Sequence, residues 1–175
     1  MMDSVEIRFC GSGGQGLILA ARILSAALVA QGKNVAQSQS YEPVSRGGQS
    51  RSDLVISDGE ADFPLGRRLD YLLILDEAAA QASDGMISDD TVVLADFDLV
   101  QTLPDDVGRM IHLPFTQTAH RLGNKRVANI VALGALATAS GICDKDGLLR
   151  QVKAMTPAKF ARLNIEAFEA GTAMA

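Results

Sequence analysis

The feature that most constrains the fold is the glycine-rich run GSGGQG at residues 11–16. It follows the apolar stretch VEIRFC (5–10) and precedes LILAARILSAALVAQG (17–32), whose apolar residues recur at helical spacing. The glycines at the first, third and sixth positions match the pattern G-x-G-x-x-G, which permits a tight turn and close approach of the backbone to a phosphate. The run therefore predicts a strand, a glycine turn and a helix whose N-terminus can attract an anion.

A dinucleotide site also requires an acidic residue at the end of the second strand, where it binds a ribose hydroxyl. The predicted second strand, NVAQSQSY (34–41), has no acid before Glu42, which already lies in the following loop. We therefore rank an NAD site below a different ligand, or a vestigial loop that serves only packing. Two alternatives stay open. One is a free-standing NAD(P)-dependent oxidoreductase, with Glu42 on the ribose or Arg46 on a 2′-phosphate, and the other is a structural interaction module whose loops bind nothing.

A second unusual segment, YEPVSRGGQS (41–50), follows the predicted second strand. Pro43 restricts the backbone, whereas Gly47 and Gly48 allow conformations that are closed to other residues. Between them, Arg46 offers guanidinium donors that suit a phosphate or a carboxylate. Because ligands of open α/β sheets gather beyond the carboxyl ends of the strands, we expect this segment and the glycine run to lie together and to form a phosphate site.

The rest of the chain alternates apolar stretches with helical ones. Strands are predicted at 52–57, 71–76, 91–96 and 110–115, and helices from Glu77, over 126–140, after Asp144, and after Thr156 as N-cap with Pro157 in the first turn. A hairpin or a strand of mixed direction is expected near the Asp-Gly pair that follows residue 57. These patterns predict a single domain with a three-layer α/β/α, Rossmann-like fold and a mostly parallel, mixed sheet.

Composition argues against several classes of partner. The net charge is -5, aromatic residues make up 5%, and Trp is absent, so nucleic acid and anionic membranes are not expected as partners. The longest apolar runs are interrupted by Arg22 and Asn129 and fall short of a membrane span. The N-terminal MMDSVEIR lacks the basic region of a secretory signal, and we therefore expect a cytoplasmic protein.

The candidate reactive and metal-binding side chains are few. Cys10 and Cys143 form no CxxC pair, so this chain alone is not expected to build an iron–sulfur cluster or a cysteine zinc site. Cys10 is interpreted as a small apolar residue at the end of a buried strand, and His112 and His120 as structural or solvated. Neither a Ser-His-Asp arrangement nor a thiamine diphosphate motif is evident. We therefore predict no catalytic residue and no metal ligand in this chain.

The two glycine-containing segments together resemble the gamma subunit, or gamma domain, of the 2-oxoacid:ferredoxin oxidoreductases. In that family a GxGGQG loop opens the chain, a segment of the type Tyr-Gly-Pro-Glu-x-Arg-Gly-Gly follows, and a late helix carries an Asn before Leu-Gly-Ala. The positions similar to that late helix are Asn129 and 133–135 within VANIVALGALATA. The resemblance implies one gamma-type domain over residues 1–175.

The second segment departs from the family pattern, because Glu42 follows Tyr41 directly where the family frequently has glycine. The departure leaves open the path of this loop. It also leaves open the branch of the family, whose members act on pyruvate, 2-oxoglutarate or ketoisovalerate. The beta subunit of indolepyruvate oxidoreductase shares the glycine loop and is an alternative within the same group of proteins.

The resemblance implies a non-catalytic subunit of a complex that decarboxylates a 2-oxoacid, attaches the acyl group to coenzyme A and passes electrons to ferredoxin. Thiamine diphosphate and the iron–sulfur clusters are then expected mainly in partner alpha, beta and possibly delta subunits, with no cofactor held by this chain alone. In the family, the gamma module lies near the thiamine and coenzyme A sites. The residues expected to contact cofactor are Gly11, Gly13, Gly14, Gln15, Gly16, Tyr41, Pro43, Arg46, Gly47, Gly48 and Asn129.

Overall fold

The computed structural model describes residues 4–42, 48–59, 68–83, 85–105 and 107–175. Its strands are β1 (Val5–Ser12), β2 (Asn34–Tyr41), β3 (Gln49–Ser57), β4 (Tyr71–Ile74), β5 (Val92–Asp96) and β6 (Arg109–Leu113). Its α-helices are α1 (Leu17–Ala30), α2 (Phe115–Arg121), α3 (Ala128–Ser140), α4 (Lys145–Met155) and α5 (Ala161–Thr172), and short 3-10 helices span Glu77–Ala79, Lys125–Val127 and Ala158–Phe160. Within these ranges, no helix is both long and apolar enough to cross a bilayer.

The strands form one sheet in the order β2-β3-β1-β4-β5-β6. Strand β3 is antiparallel to both of its neighbours, whereas β1, β4, β5 and β6 pair in parallel. Strand β2 therefore runs in the same direction as β1, although β3 lies between them. The prediction of a mostly parallel, mixed sheet is confirmed, and the reversed strand is the one that follows the second glycine-containing segment.

The α-helices cover one face of the sheet. Ile7 and Phe9 point to this face and are fully buried in a core shared with all five helices. The neighbouring side chain, Cys10, points to the opposite face, where a smaller apolar cluster lies under loops and the 3-10 helix Glu77–Ala79. In the described ranges, the third layer of this α/β domain thus consists of short segments. The predicted helix from Glu77 is shortened to this one turn.

Helices α3 and α5 pack closely because both carry glycine at the contact. A Cβ added to Gly171 would meet the carbonyl oxygen of Val131, and one added to Gly134 would meet that of Phe168. Ala135, whose nitrogen would lie 3.1 Å from a Cβ at Gly171, is fully buried at the same contact. The small side chains therefore serve close packing between helices.

In the second half of the chain, one helix start was predicted at the wrong residue and one helix was missed. Thr156 is not an N-cap, because its hydroxyl donates to the Val152 carbonyl oxygen at 2.7 Å and ends α4 instead. Helix α2 was not predicted, since its N-cap residue is Pro114, which has no side-chain oxygen to mark a helix start. The predicted helix after Asp144 is confirmed, and the Asp144 side chain caps it by accepting from the Gly147 N–H at 2.7 Å.

Candidate ligand site at the carboxyl edge of the sheet

The glycine run forms the turn between β1 and α1, as its pattern predicts. Gly14 has φ 91° and Gly16 has φ 75°, values in the left-handed region that glycine enters without a steric penalty. Gly16 is also the N-cap residue of α1 and provides no side-chain cap. The first helical turn therefore opens at the carboxyl edge of the sheet.

The side chain of Gln15 ties this loop to the end of β4. Its Oε1 accepts a hydrogen bond from the Ser12 N–H at 2.8 Å, and its Nε2 donates to the Leu75 carbonyl oxygen at 2.8 Å. A Cβ on Gly11 would collide with the same Oε1. Gly11 is therefore required by packing against Gln15, independently of any ligand.

The end of β2 and the start of β3 lie against the glycine loop. The Gly13 N–H donates to the Gly48 carbonyl oxygen at 2.9 Å. A Cβ on Gly13 would approach Cε2 of Tyr41 to 2.6 Å, and the Tyr41 side chain is half exposed beside it. The two segments thus lie side by side, as their positions after parallel strands predict. Three of the predicted site residues, Pro43, Arg46 and Gly47, lie outside the described residues.

Asn129 supports the loop from the first turn of α3. Its Nδ2 donates to the Gly16 carbonyl oxygen at 3.0 Å, and the residue is buried. A Cβ on Gly16 would come within 2.5 Å of that Nδ2. The structure therefore brings Asn129 to the glycine loop, where it contacts the protein backbone. Its predicted contact with a cofactor stays a prediction.

The hydrogen bonds of the loop argue against a dinucleotide cradle. In such a cradle, backbone N–H groups point towards the phosphate. Here the N–H groups of Ser12 and Gly13 donate to Gln15 and Gly48, and the Gln15 N–H points to the Ser12 carbonyl oxygen at 3.4 Å. These donors are used inside the protein, so a ligand at this edge must obtain much of its binding from side chains.

The sheet order also argues against a ribose contact by Glu42. Because β3 separates β2 from β1, Glu42 follows a strand that does not pair with β1, whereas the ribose-binding acid of a dinucleotide fold follows the strand beside β1. The Glu42 carboxylate instead faces its own hairpin, where Oε2 accepts from the Gln49 N–H at 3.4 Å. The geometry thus lacks the acid that an NAD site requires.

A cleft of about 200 Å³ opens beside the glycine loop. Its walls include Gly14, Gln15, Leu99, Thr116, Lys125 and Arg126. Lys125 and Arg126 are exposed, and among the described residues neither forms an ion pair. The Asn124 side chain accepts from the Arg126 N–H at 3.0 Å and shapes the turn that carries both cations. Two positive charges therefore flank a cleft at the edge where the glycine loop ends.

The sequence prediction missed Lys125 and Arg126, although a pattern for them exists. Between Asp106 and Asp144 the chain has no acidic residue, while its overall net charge is -5. A stretch of one sign in an acidic chain concentrates positive potential on one part of the surface. The absence of acidic residues in this stretch therefore predicts a basic surface that includes Lys125 and Arg126.

A larger cleft of about 550 Å³ lies on the loop-covered face, with Gln81, Asp89, Leu103 and Asp105 among its walls. Size alone would favour it as a binding site. However, its charged walls in the described residues are carboxylates, which repel phosphate. We therefore take the smaller cleft as the candidate site, because its two exposed cations favour a phosphate-bearing ligand.

The cysteines take no part in this site. Burial raises the pKa of the Cys10 thiol to about 12, and burial also raises the pKa of Cys143. Raised values keep both groups as neutral thiols at physiological pH, and the neutral form is a poor nucleophile. Among the residues described, no group of three His, Cys, Asp or Glu side chains could hold a metal ion.

Comparisons with known proteins agree on one family. A family model described as pyruvate ferredoxin/flavodoxin oxidoreductase matches residues 6–174. The 2-oxoglutarate synthase subunit KorC of Archaeoglobus fulgidus is 39% identical, over 99% of this chain and 89% of its own length.

Two solved structures share the fold and are similar in sequence. The gamma subunit of a keto/oxoacid ferredoxin oxidoreductase from Geobacter sulfurreducens superposes with a TM-score of 0.86 at 39% identity, covering 98% of this chain and 96% of that chain. The 2-oxoglutarate:ferredoxin oxidoreductase from Magnetococcus marinus, solved with 2-oxoglutarate, coenzyme A and succinyl-CoA bound, superposes with a TM-score of 0.85 at 25% identity. That match covers 100% of this chain and 31% of the other, so the same fold is one part of a longer chain there.

Proposed function

Because the chain belongs to the pyruvate ferredoxin/flavodoxin oxidoreductase family, we propose that it is the gamma subunit of a complex that oxidises 2-oxoglutarate. The complex would release CO₂, transfer the succinyl group to coenzyme A and pass two electrons to ferredoxin. The choice of 2-oxoglutarate is supported by the identity of 39% to a 2-oxoglutarate synthase subunit and by the ligands of the Magnetococcus marinus structure.

The proposal assigns thiamine diphosphate and the iron–sulfur clusters mainly to partner alpha, beta and possibly delta subunits. A cluster with four cysteine ligands needs more thiolates than this sequence supplies, since it contains two cysteines. Electron transfer and decarboxylation would then occur on the partner chains. The gamma subunit would contribute binding surface for coenzyme A, and it would act in the cytoplasm.

The observation that carries this role is the pair of exposed cations over the cleft. Coenzyme A bears phosphates on its nucleotide end, and Arg126 can form charge-assisted hydrogen bonds to them, with Lys125 as a nearby point charge. A volume of about 200 Å³ is smaller than the roughly 300 to 1,000 Å³ of sites that enclose a whole ligand. The cleft would therefore hold only the phosphate-bearing end and leave the pantetheine arm free to reach a partner subunit.

The test is steady-state turnover of the assembled complex with the double variant Lys125→Ala/Arg126→Ala. A charge-assisted hydrogen bond contributes roughly 1.5 to 3 kcal/mol, so KM for coenzyme A should rise about ten-fold or more. KM for 2-oxoglutarate and the requirement for thiamine diphosphate should stay as in the wild type. The matched control is Arg150→Ala/Lys153→Ala, which removes the same charge from α4, an element that contributes no residue to the cleft. An unchanged KM for coenzyme A in the cleft variant would refute the proposal.

Arg46 is proposed as a further phosphate ligand, on the segment that joins β2 to β3. The described ends of this segment, Tyr41 and Gly48, lie against the glycine loop. In the assembled complex, Arg46→Ala should raise KM for coenzyme A or thiamine diphosphate about ten-fold, and Arg46→Lys should restore only part of it, because an ammonium group cannot bind in a bidentate way. Wild-type values in both titrations would show that Arg46 is a solvated turn residue.

A further inference from the structure

Asp96, the last residue of β5, is a fully buried carboxylate. A buried charge without hydrogen bonds is strongly unfavourable, so its partners define its role. Oδ1 accepts from the N–H groups of Asp98 at 2.9 Å and Leu99 at 3.1 Å, whereas Oδ2 accepts from the Thr116 N–H at 2.7 Å. One side chain therefore holds two separate segments, the turn after β5 and the first turn of α2.

The bond to Thr116 replaces a missing helix cap. Helix α2 begins after Pro114, which provides no side-chain hydrogen bond to the free N–H groups of the first turn. Asp96 supplies the acceptor from another strand, and its negative charge is favourable at a helix N-terminus. The position of α2 relative to the sheet thus depends on Asp96.

Both segments that Asp96 holds contribute walls to the basic cleft. Leu99 and Thr116 line it directly. After α2 the chain continues through the turn that carries Lys125 and Arg126, so the placement of α2 also affects the position of the cations. The carboxylate itself lies behind these walls, because it is fully buried.

We propose that Asp96 is a positioning residue for the ligand of the cleft: it fixes Leu99 and Thr116, two walls of the cleft that Lys125 and Arg126 also line. This inference rests on the proposed function, since it takes the phosphate-bearing end of coenzyme A as the ligand. Asp96 touches no reacting atom. It acts through the shape of the cleft, so its loss should affect binding of coenzyme A and leave the chemistry on 2-oxoglutarate unchanged.

The experiment uses the assembled complex with the variant Asp96→Asn. The amide has similar size but keeps only one acceptor oxygen, so either the β5 turn or Thr116 loses its hydrogen bond. We expect KM for coenzyme A to rise about five-fold, the change that corresponds to one hydrogen bond, with kcat and KM for 2-oxoglutarate near wild-type values. The matched control is Asp144→Asn, because Asp144 also accepts from an N–H of a first helical turn but is an exposed local cap outside the cleft. The control should leave KM for coenzyme A unchanged and keep the melting temperature close to that of the wild type, because Asn caps a helix about as well as Asp.

A second measurement needs no variant and covers the case in which Asp96→Asn does not assemble. Hydrogen exchange of the wild-type complex should show that coenzyme A protects amides 97–101 and 115–121 and leaves those of α4 unchanged. The inference is overturned if these two segments gain no protection, or if Asp96→Asn changes only the melting temperature. If Lys125→Ala/Arg126→Ala raises KM and Asp96→Asn does not, the inference fails while the proposed function stands. If neither variant affects KM, both fail.

Discussion

The glycine loop (residues 11–16) and the basic turn (residues 124–127) border the same cleft but differ in what they offer to a ligand. The loop is conspicuous in the sequence, yet the donors described above bond inward, to Gln15, Gly48 and the loop itself. The turn is inconspicuous in the sequence, yet it exposes Lys125 and Arg126 at the cleft. The difference shows that a glycine pattern can report close packing while the ligand chemistry resides in ordinary basic residues nearby.

The contact between α3 and α5 supports this interpretation of the glycines. Gly134 and Gly171 approach neighbouring backbone as closely as the loop glycines approach Gln15 and Asn129, although this contact is between two helices. A need for glycine is therefore not evidence for a ligand. Three kinds of glycine can be distinguished by substitution. In the first kind an added Cβ would meet backbone atoms, in the second it would meet a side chain, and in the third only a left-handed backbone conformation requires glycine.

The largest effect is expected for Gly171→Ala. Its Cβ would collide with the Val131 carbonyl oxygen and lie 3.1 Å from the Ala135 nitrogen, both backbone atoms that cannot move without separating the helices. We expect the free energy of unfolding to fall by about 3 kcal/mol, which lowers the melting temperature by roughly 6 to 12 °C. The control is Gly147→Ala in α4, where the nearest atoms belong to side-chain ends and alanine should be neutral or stabilising by about 0.5 kcal/mol. Equal melting temperatures for the two variants would contradict the packing argument.

The next effect distinguishes two loop glycines that share a left-handed conformation. In Gly14→Ala the new Cβ has nothing within 4 Å, so only the backbone strain of about 1 kcal/mol applies. In Gly16→Ala the Cβ also meets Nδ2 of Asn129, and we expect a total loss of about 2 kcal/mol. Urea unfolding of both variants measures the difference. The same loss in both would show that Asn129 yields freely and does not hold the loop.

Most of the fold could be predicted from the sequence, because β4 and β5 carry continuous apolar runs and α1 has a regular helical period. The strand-turn-helix around the glycine run, the mixed sheet and the helix after Asp144 were predicted from local patterns. Helix α2 could not be predicted, since its capping acceptor is Asp96, a residue distant in sequence. The 3-10 helix that carries the cations was not separated from α3, because its three residues lead directly into that helix.

The candidate site was predicted in part. Gly13, Tyr41 and Gly48 come together as expected, because parallel strands end at one sheet edge. The inward hydrogen bonds of the loop could not be foreseen, since Gln15 meets Leu75 only after the sheet forms. The family resemblance supplied the function, which no spacing of residues in this chain would have given.

The pH dependence of stability tests how completely the thiol of Cys10, the residue immediately before the glycine loop, is shielded from water. Burial raises its pKa from 9.0 to about 12, so the folded state favours the neutral thiol. This contribution is fully present below about pH 9 and is lost as the pH rises towards 12, since the unfolded chain releases its proton first. Between pH 8 and pH 10, wild type should lose about 1.4 kcal/mol of stability that Cys10→Ala does not lose. Parallel pH curves for the two proteins would mean that Cys10 is hydrated in the native state.

The smallest effect on stability is expected for Gly13→Ala, where a flexible side chain is the obstacle. Gly13 lies outside the left-handed region, and its Cβ would meet Cε2 of Tyr41, a ring that is half exposed and can turn into solvent. The free energy of unfolding should change by under about 0.5 kcal/mol. Tyrosine fluorescence should change nevertheless, because Tyr41 is one of two tyrosines and no Trp obscures it. Gly14→Ala should give the reverse pattern, with lower stability and unchanged emission, because no side chain lies near its Cβ. If Gly13→Ala proved as damaging as Gly16→Ala, the Tyr41 ring would be fixed in place, and the glycine loop would be held as rigidly on the β2 side as on the α3 side.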